Sequence, residues 1–393
     1  MKQGPVAAAI AAALVTLIGA IPRVLLAAGA LPDALRPFVW SDTLLVYERG
    51  LSGHRLPYVD TPFEYPPLIG LISGALSLLA PGPAPFVAAW ALIVAVTGAC
   101  CAALLVASGH GRAWRSFVVA PQLLLLGTIN FDLLPVLLLT LAVLAQRGGR
   151  VLTAMVALGL GTGAKLYPAA SAPLSLARGP RRALSAAAFV AVLALLYLPT
   201  ALQPYSSAAG VGFYAVGIRS NIDSVWGLAE RLLTGLGLPN APLLVLAATI
   251  GGLGLTYVGR VLPRAGRASD PAIGFCLATI AVLFWSRLYS PQYSLWLLPF
   301  FPLLGLGGRA LALLTLADIG VFFTIYPLTL VRYGPDDLVP TVLLAALAAF
   351  VVLRHLALWR MWREVLARAD ATPVAREIRR DGQPKREDGR HRS

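Results

Sequence analysis

The chain has 393 residues, of which 58% are hydrophobic and 13% are charged, and its mean hydropathy is +0.75. Soluble globular proteins carry about 25% charged residues, so this composition excludes a soluble enzyme and indicates a protein of the lipid bilayer. The three cysteines lie in apolar runs, which excludes a disulfide framework and a cysteine metal site. The formal net charge of +14 raises the question of nucleic acid, which the positions of the charges must answer.

The first predicted element is a membrane helix over residues 6–31. It follows Lys2, is too long for a signal peptide and lacks a small-residue cleavage site, so we expect it to be retained. Because short loops rich in Lys and Arg stay in the cytoplasm, the N-terminus is predicted to be cytoplasmic. The next stretch, 32–83, holds five of the 18 acidic residues and is interpreted as a large extracytoplasmic loop.

Within this loop, the apolar run 66–80 decides the topology. If it spanned the membrane, the next helix would place His110, Arg112 and Arg115 outside, and every later loop would break the charge rule. An interfacial or re-entrant helix instead leaves 12 basic residues and one acid in the cytoplasmic turns, against eight basic residues and ten acids outside. About twelve spanning helices follow, with both termini inside: 6–31, 84–108, 117–129, 133–146, 151–164, 166–177, 183–199, 240–259, 271–285, 293–307, 310–330 and 338–359.

The predicted fold is therefore an all-α polytopic protein of the plasma membrane. A transmembrane domain covers residues 1–359, and 360–393 form a basic, disordered cytoplasmic tail that contacts anionic lipid. Since the basic residues are concentrated in cytoplasmic turns and in this tail, nucleic acid is excluded as a partner and membrane lipids are expected instead.

Polar residues at the predicted outer face concentrate in six segments. Asp42 follows the first helix, but Ser41 or Asp42 ahead of an apolar-periodic stretch also has the pattern of a helix N-cap. If Lys165 is half-buried, its charge is costly to keep in the membrane, which indicates a functional role. The alternative is that its long side chain extends the ammonium group to the membrane interface. The six segments are 40–42, 54–68, 128–132, 163–168, 219–224 and 286–293.

This pattern suits transfer of a sugar from a lipid phosphate. Such a donor already has a good leaving group, so the reaction needs one general base and cations for the departing phosphate. Asp42 is the predicted base; Asp60 and Glu64 are the other candidates, or solvated loop charges. The predicted phosphate ligands are Lys165, Arg219 and Arg287, and the other candidate substrate contacts are His54, Glu64, Tyr65, Asn221, Gln292 and Tyr293.

Several motifs in the same order resemble a known family. They are Asp42 with Tyr47, LPYVDTPFEYPPL (56–68), GTGAKLYP (161–168), RSNIDS (219–224) and SPQYSLWLLP (290–299). Together they resemble the GT-C superfamily, and most closely glycosyltransferase family 87 with its PimE-like, polyprenyl-phosphate-mannose-dependent mannosyltransferases of actinobacteria.

The resemblance implies a GT-C type bundle of about twelve helices with juxtamembrane helices in the first extracytoplasmic loop. It also implies Asp42 as the base, inversion at the anomeric carbon, a polyprenyl-phosphate-sugar donor and a lipid or glycan acceptor. No cofactor and no metal are expected. Mannose and arabinose remain open as the sugar, and a glycolipid, a lipoglycan or a protein as the acceptor.

A secondary transporter or flippase for a lipid-linked or anionic solute is the alternative. It would predict an inverted repeat with matching broken helices in both halves, whereas the large acidic loop occurs once. Arg23 and Asp318 lie within predicted spans, where they could pair with each other or line a cavity.

Overall fold

The structure is a computed structural model that describes residues 4–110, 114–179, 181–334 and 336–371, without the side chains of 213–216. Lys2, Arg112 and residues 372–393 of the predicted tail therefore lie outside the described residues. Within the described ranges the chain is helical, and an isolated bridge between Pro57 and Thr61 is the only β-type pairing.

The first half of the chain contains nine α-helices among the described residues. A 3₁₀ helix, Asp33–Phe38, precedes α2, and a π turn, Tyr47–Leu51, follows it. The predicted interfacial segment 66–80 is helix α3. The nine helices are α1 (Pro5–Ala27), α2 (Asp42–Val46), α3 (Pro67–Leu79), α4 (Pro83–Ala107), α5 (Arg115–Val118), α6 (Pro121–Leu126), α7 (Leu133–Arg147), α8 (Val151–Ala164) and α9 (Ala172–Leu176).

The second half contains nine more among the described residues. A π turn, Tyr257–Val261, joins α13 to α14 into one continuous rod. The nine helices are α10 (Arg182–Ala201), α11 (Ser207–Gly217), α12 (Val225–Gly235), α13 (Ala241–Thr256), α14 (Leu262–Arg267), α15 (Pro271–Phe284), α16 (Phe300–Leu304), α17 (Gly308–Leu330) and α18 (Val339–Asp370).

Six helices in the described part are long and apolar enough to cross a bilayer: α1, α4, α10, the rod of α13 and α14, α17 and α18. Four shorter apolar helices, α3, α7, α8 and α15, accompany them. This architecture agrees with the predicted all-α polytopic class. The predicted count of about twelve spans is not confirmed.

Three predicted spans, 117–129, 166–177 and 293–307, are interrupted rather than continuous. Pro121 starts α6, and the residue before it, Ala120, is extended because a proline disfavours helical conformation in its predecessor. A hydropathy pattern does not register such breaks. In the other two segments the interruption takes the form of 3₁₀ helices at Tyr167–Ser171 and Pro291–Leu297, each with a proline in its first turn.

Helix α18 continues without a break past residue 359, the predicted end of the transmembrane domain, and ends at Asp370. Contacts to the turn before α17 hold its last part in place. Arg368 donates to the carbonyl oxygens of Leu304 and Gly305, and Glu364 accepts a 2.7 Å hydrogen bond from the backbone N–H of Gly307.

Helix packing brings the turns that carry the polar segments together at one side of a shared core. α1 packs on α4, α7 on α8, α8 on α10, and α17 on α18. Large aromatic side chains fill the centre under the first loop, where the rings of Trp90 and Phe131 are 4.3 Å apart. The helix ends around this core position the polar segments described next.

Candidate active site

A cavity of about 670 Å³ lies where the first large loop meets the turns between later helices. All six polar segments singled out in the sequence contribute to its wall. Its polar and aromatic lining includes Trp40, Asp42, Arg49, Glu64, Tyr65, Asn130, Lys165, Tyr167, Asn221, Asp223, Ser290, Gln292, Tyr293, Trp296 and Tyr326.

Asp42 is the first residue of α2, but it does not cap that helix. The hydroxyl of Ser41 accepts the hydrogen bond from the Leu44 N–H at 3.1 Å, so Ser41 is the N-cap. The Asp42 carboxylate is therefore free to face the cavity. The backbone N–H of Asp42 donates to the carbonyl oxygen of Ile129 at 2.9 Å.

Three N–H groups from three segments hold the Asp42 carboxylate. The indole nitrogen of Trp40 donates to Oδ1 at 2.5 Å, and the amide nitrogens of Asn130 and Gln292 donate to Oδ2 at 2.8 and 3.2 Å. Oδ1 thus retains a lone pair for a further hydrogen bond. Burial raises the pKa of Asp42 to about 6, against the hydrogen bond from Trp40 and the charge of Lys165, which lower it.

Lys165 lines the same cavity, and its charge acts on the Asp42 carboxylate. Its Nζ lies 2.9 Å from Oδ1 of Asp132, a fully buried acid, and 4.4 Å from the ring centroid of Tyr293. The side chain of Lys165 is 14% exposed, so this is a largely desolvated ion pair that still reaches the cavity. Trp296 stacks on Tyr293 with centroids 4.3 Å apart and fixes the aromatic side of the site.

The other two predicted phosphate ligands do not line the cavity. Arg219 is exposed on the loop before α12. Arg287 is buried and donates to the carbonyl oxygen of Ile218, while its own carbonyl accepts from the N–H of Asn221 at 2.9 Å. The guanidinium of Arg287 is thus directed at a backbone carbonyl oxygen and not at the cavity. Arg287 therefore stabilises the loop that carries Asn221.

Arg49 is a cation of the wall that the sequence reasoning missed. Its side chain is 62% exposed, and a guanidinium nitrogen lies 3.9 Å from Oε1 of Glu64. Asp42 and Arg49 are seven residues apart on one short helical segment, a spacing that puts two side chains on the same face. This seven-residue spacing from Asp42 is the feature of the sequence that could have identified Arg49 as a site residue.

The candidate residues of the first loop divide into two groups. Glu64 lines the cavity beside Arg49, and burial raises its pKa. Tyr65 also lines it, and its hydroxyl accepts from the Asn130 amide at 3.2 Å. In contrast, Asp60 is exposed and accepts from the Leu56 N–H at 2.8 Å, and His54 is exposed with a ring nitrogen 3.1 Å from the Ser77 carbonyl oxygen.

The remaining candidates come from the later turns, and all of them line the cavity. The Asn221 amide nitrogen donates to the Ser290 hydroxyl at 3.0 Å. Gln292 is buried and contacts Asp42, as described above, and Tyr293 forms part of the aromatic side.

Asp223 is a further acid of the wall, and we had not predicted it as a site residue. It is 5% exposed, and its carbonyl oxygen accepts from the guanidinium of Arg354 in α18. Burial raises the pKa of Asp223 to about 6, against the charge of Arg354, which lowers it. The lining of the cavity therefore includes three carboxylates, those of Asp42, Glu64 and Asp223.

Arg23 and Asp318 neither pair with each other nor line the cavity. Arg23 donates to the carbonyl oxygens of Trp40 and Leu125 at 2.9 and 2.6 Å. Asp318 accepts from the Ser294 hydroxyl at 2.7 Å and so holds the 3₁₀ helix that contains Gln292. Both residues thus stabilise the backbone of the site without lining the cavity. Among the described residues, no group of three or more His, Cys, Asp or Glu side chains is arranged to hold a metal ion.

Residues 63–291, more than half of the chain, match the family model of glycosyltransferase family 87. The matched range contains Lys165, Asn221 and Asp223, and Asp42 precedes it. A search of the curated proteins finds no match.

Proposed function

The chain belongs to glycosyltransferase family 87, and from this premise we propose that it is an inverting enzyme that uses a polyprenyl-phosphate-sugar donor. The favoured sugar is mannose. The acceptor is a hydroxyl of a cell-envelope glycolipid or glycan on the extracytoplasmic face. The observation that carries the proposal is the Asp42 carboxylate, held by three N–H donors on the wall of a cavity that also presents cations.

Asp42 is the proposed general base. Ionised, it takes the proton of the acceptor hydroxyl while that oxygen attacks C1 of the donor sugar. The bond between C1 and the phosphate oxygen breaks, and the lipid phosphate leaves with the electron pair, so one displacement inverts the anomeric carbon. A base with a pKa near the working pH combines ionisation with useful basicity, which fits the raised pKa of Asp42.

Lys165 and Arg49 are the proposed ligands of the departing phosphate. Both line the cavity with Asp42, and a fixed cation is most effective where negative charge grows in the transition state. Lys165 is held by Asp132 and by the face of Tyr293, which preorganises its ammonium. Arg219 and Arg287 are not given this role, because neither side chain lines the cavity.

The other wall residues suit the two substrates. Tyr65, Asn221 and Gln292 offer hydrogen-bonding groups for sugar hydroxyls, and Asp223 offers a further carboxylate. The rim also contains apolar side chains that suit an isoprenoid chain: Leu166, Val211, Ile325 and Leu330.

Transfer of radiolabelled mannose from polyprenyl-phosphate-mannose by membranes that contain the protein tests the proposal. We expect Asp42→Asn to lower the rate by about 100-fold or more, since general-base catalysis contributes roughly 10²–10⁴. Asp60→Asn is the matched control, because Asp60 is an exposed acid of the same loop that does not line the cavity.

Three outcomes would contradict parts of the proposal. Full activity of Asp42→Asn would remove Asp42 as the base. Transfer from an arabinose donor but not from the mannose donor would change the sugar. Movement of a solute across sealed vesicles without any transfer would favour the transporter or flippase instead.

A further inference from the structure

A second polar cavity lies at the opposite end of the last two helices from the candidate active site. It has a volume of about 510 Å³ and is bounded by the start of α17 and the last turns of α18. Three arginines, Arg309, Arg360 and Arg363, line it together with Trp359. On the predicted topology, this is the cytoplasmic side of the membrane.

The three guanidinium groups have no acidic partner within the described part of the chain. All three side chains are exposed, and that of Arg363 lies 4.9 Å from the ring of Trp359. The acid of this cavity, Glu364, is already bound by Arg368 at 3.1 Å and by the Gly307 N–H at 2.7 Å. The cavity therefore carries an uncompensated positive charge.

The position of the cavity along α18 corresponds to headgroup depth. The helix has 32 residues, so at 1.5 Å per residue it is about 48 Å long and extends beyond a hydrocarbon core of about 30 Å. Its apolar part ends near Trp359, an exposed tryptophan of the kind enriched at the interface, and Arg360 follows directly. Arg360 and Arg363 thus follow the apolar part of α18, at the level where the hydrocarbon core would end.

We propose that this cavity binds the phosphate of an anionic phospholipid from the adjacent leaflet. Arginine suits phosphate because its planar N–H groups match the oxygens in pairs, and basic pockets between helices on the cytoplasmic side bind anionic headgroups. The first turn of α17 adds backbone N–H groups that no side chain caps. The indole of Trp359 packs at the level where the glycerol meets the acyl chains.

Native mass spectrometry of the purified full chain, with phosphatidylglycerol or phosphatidylcholine added, tests this site. We expect preferential retention of one phosphatidylglycerol. In the triple variant Arg309→Gln, Arg360→Gln, Arg363→Gln, affinity should fall roughly 100-fold, since each basic residue near an anionic surface contributes about fivefold. The triple Lys variant should keep part of the affinity because it keeps the charge.

A matched control removes three exposed arginines from the same predicted face but outside the cavity: Arg181→Gln, Arg260→Gln, Arg267→Gln. It should retain the bound lipid. Equal losses in both triple variants, equal retention of phosphatidylcholine, or full competition by inorganic phosphate would each overturn the proposal. If the first triple variant does not fold, Arg360→Gln alone should lower the affinity about fivefold.

Discussion

The side-chain amide nitrogen of Gln292 lies 3.2 Å from Oδ2 of Asp42, although 250 residues separate them in the chain. The contact exists because a 3₁₀ helix, Pro291–Leu297, replaces the continuous span that the hydropathy predicted. Ser294 of that 3₁₀ helix is tied to Asp318 of α17 at 2.7 Å. Residues from both halves of the chain thus hold the carboxylate of the proposed base. Variants that weaken these contacts are expected to change the activity in measurable ways.

The pH dependence of transfer should follow the ionisation of Asp42. Because burial raises its pKa to about 6, the base is ionised above that pH and protonated below it. We therefore expect kcat/KM to rise with pH through this value and then to level off. Trp40→Phe removes the N–H that stabilises the ionised form, so the inflection should move upward by about one pH unit.

A pH series of kcat/KM for wild type and Trp40→Phe measures this shift. Trp362→Phe, a change of a partly buried tryptophan of α18 that lines neither cavity, should leave the inflection unchanged. An inflection at the wild-type pH or lower in Trp40→Phe would argue that another group titrates.

Lys165 and Asp132 allow folding and donor binding to be separated. Lys165→Met alone leaves the buried Asp132 without its cation, so we expect a loss of about 3 kcal/mol or more in the free energy of unfolding. The double variant Lys165→Met, Asp132→Asn removes both charges and should recover most of that stability. The indole of Trp296 can still donate to the oxygen of the new amide.

Activity should not recover with stability. If Lys165 binds the donor phosphate, the double variant keeps a raised donor KM, which thermal unfolding and initial-rate measurements together would reveal. Wild-type donor kinetics in a stable double variant would restrict Lys165 to a structural ion pair.

Arg49→Gln should weaken donor binding without affecting the fold. Its ion pair with Glu64 is long and exposed, and such pairs contribute only about 0–1 kcal/mol to stability. A charge-assisted hydrogen bond to the donor phosphate is stronger, so we expect the donor KM to rise about tenfold. Arg36→Gln, an exposed arginine of the same loop outside the cavity, is the control, and an equal effect of both changes would exclude a specific contact.

The sequence was sufficient to predict the class of the fold and the segments of the site. Polar residues next to apolar runs are costly to keep at a membrane, and all six segments chosen on that ground reach one cavity. The spacing of Ser41 and Asp42 left the capping role open, and only the hydrogen bond from Leu44 assigns it to Ser41.

Side-chain direction and helix breaks could not be predicted in the same way. Arg287 was expected at the cavity because it lies at a helix end, but the carbonyl of Ile218 accepts from it and turns it away. Asp223 and Arg49 were overlooked because a charge in a loop is usually solvated. Prolines such as Pro121 interrupt apolar segments whose mean hydropathy still resembles that of a span.

Arg23 should act as a positioning residue for Asp42. It is buried in α1, and its donors bind the carbonyl oxygens of Trp40 and Leu125, which connects the first helix to the residue that holds the carboxylate. Arg23→Met leaves these carbonyls unsatisfied, so we expect a loss of roughly 3 kcal/mol in stability. Trp40 should then shift, and kcat should fall while the donor KM stays near its wild-type value.

A control with similar destabilisation separates positioning from a general loss of fold. Leu358→Ala removes a fully buried side chain of α18 and should cost about 2–5 kcal/mol. Because Leu358 does not line the cavity, its variant should retain the wild-type kcat and pH inflection at temperatures where it is folded. Arg23→Met should instead move the inflection upward, as Trp40→Phe does, since both weaken the same hydrogen bond to Asp42. Equal kinetics in the two variants would assign Arg23 a role in stability alone.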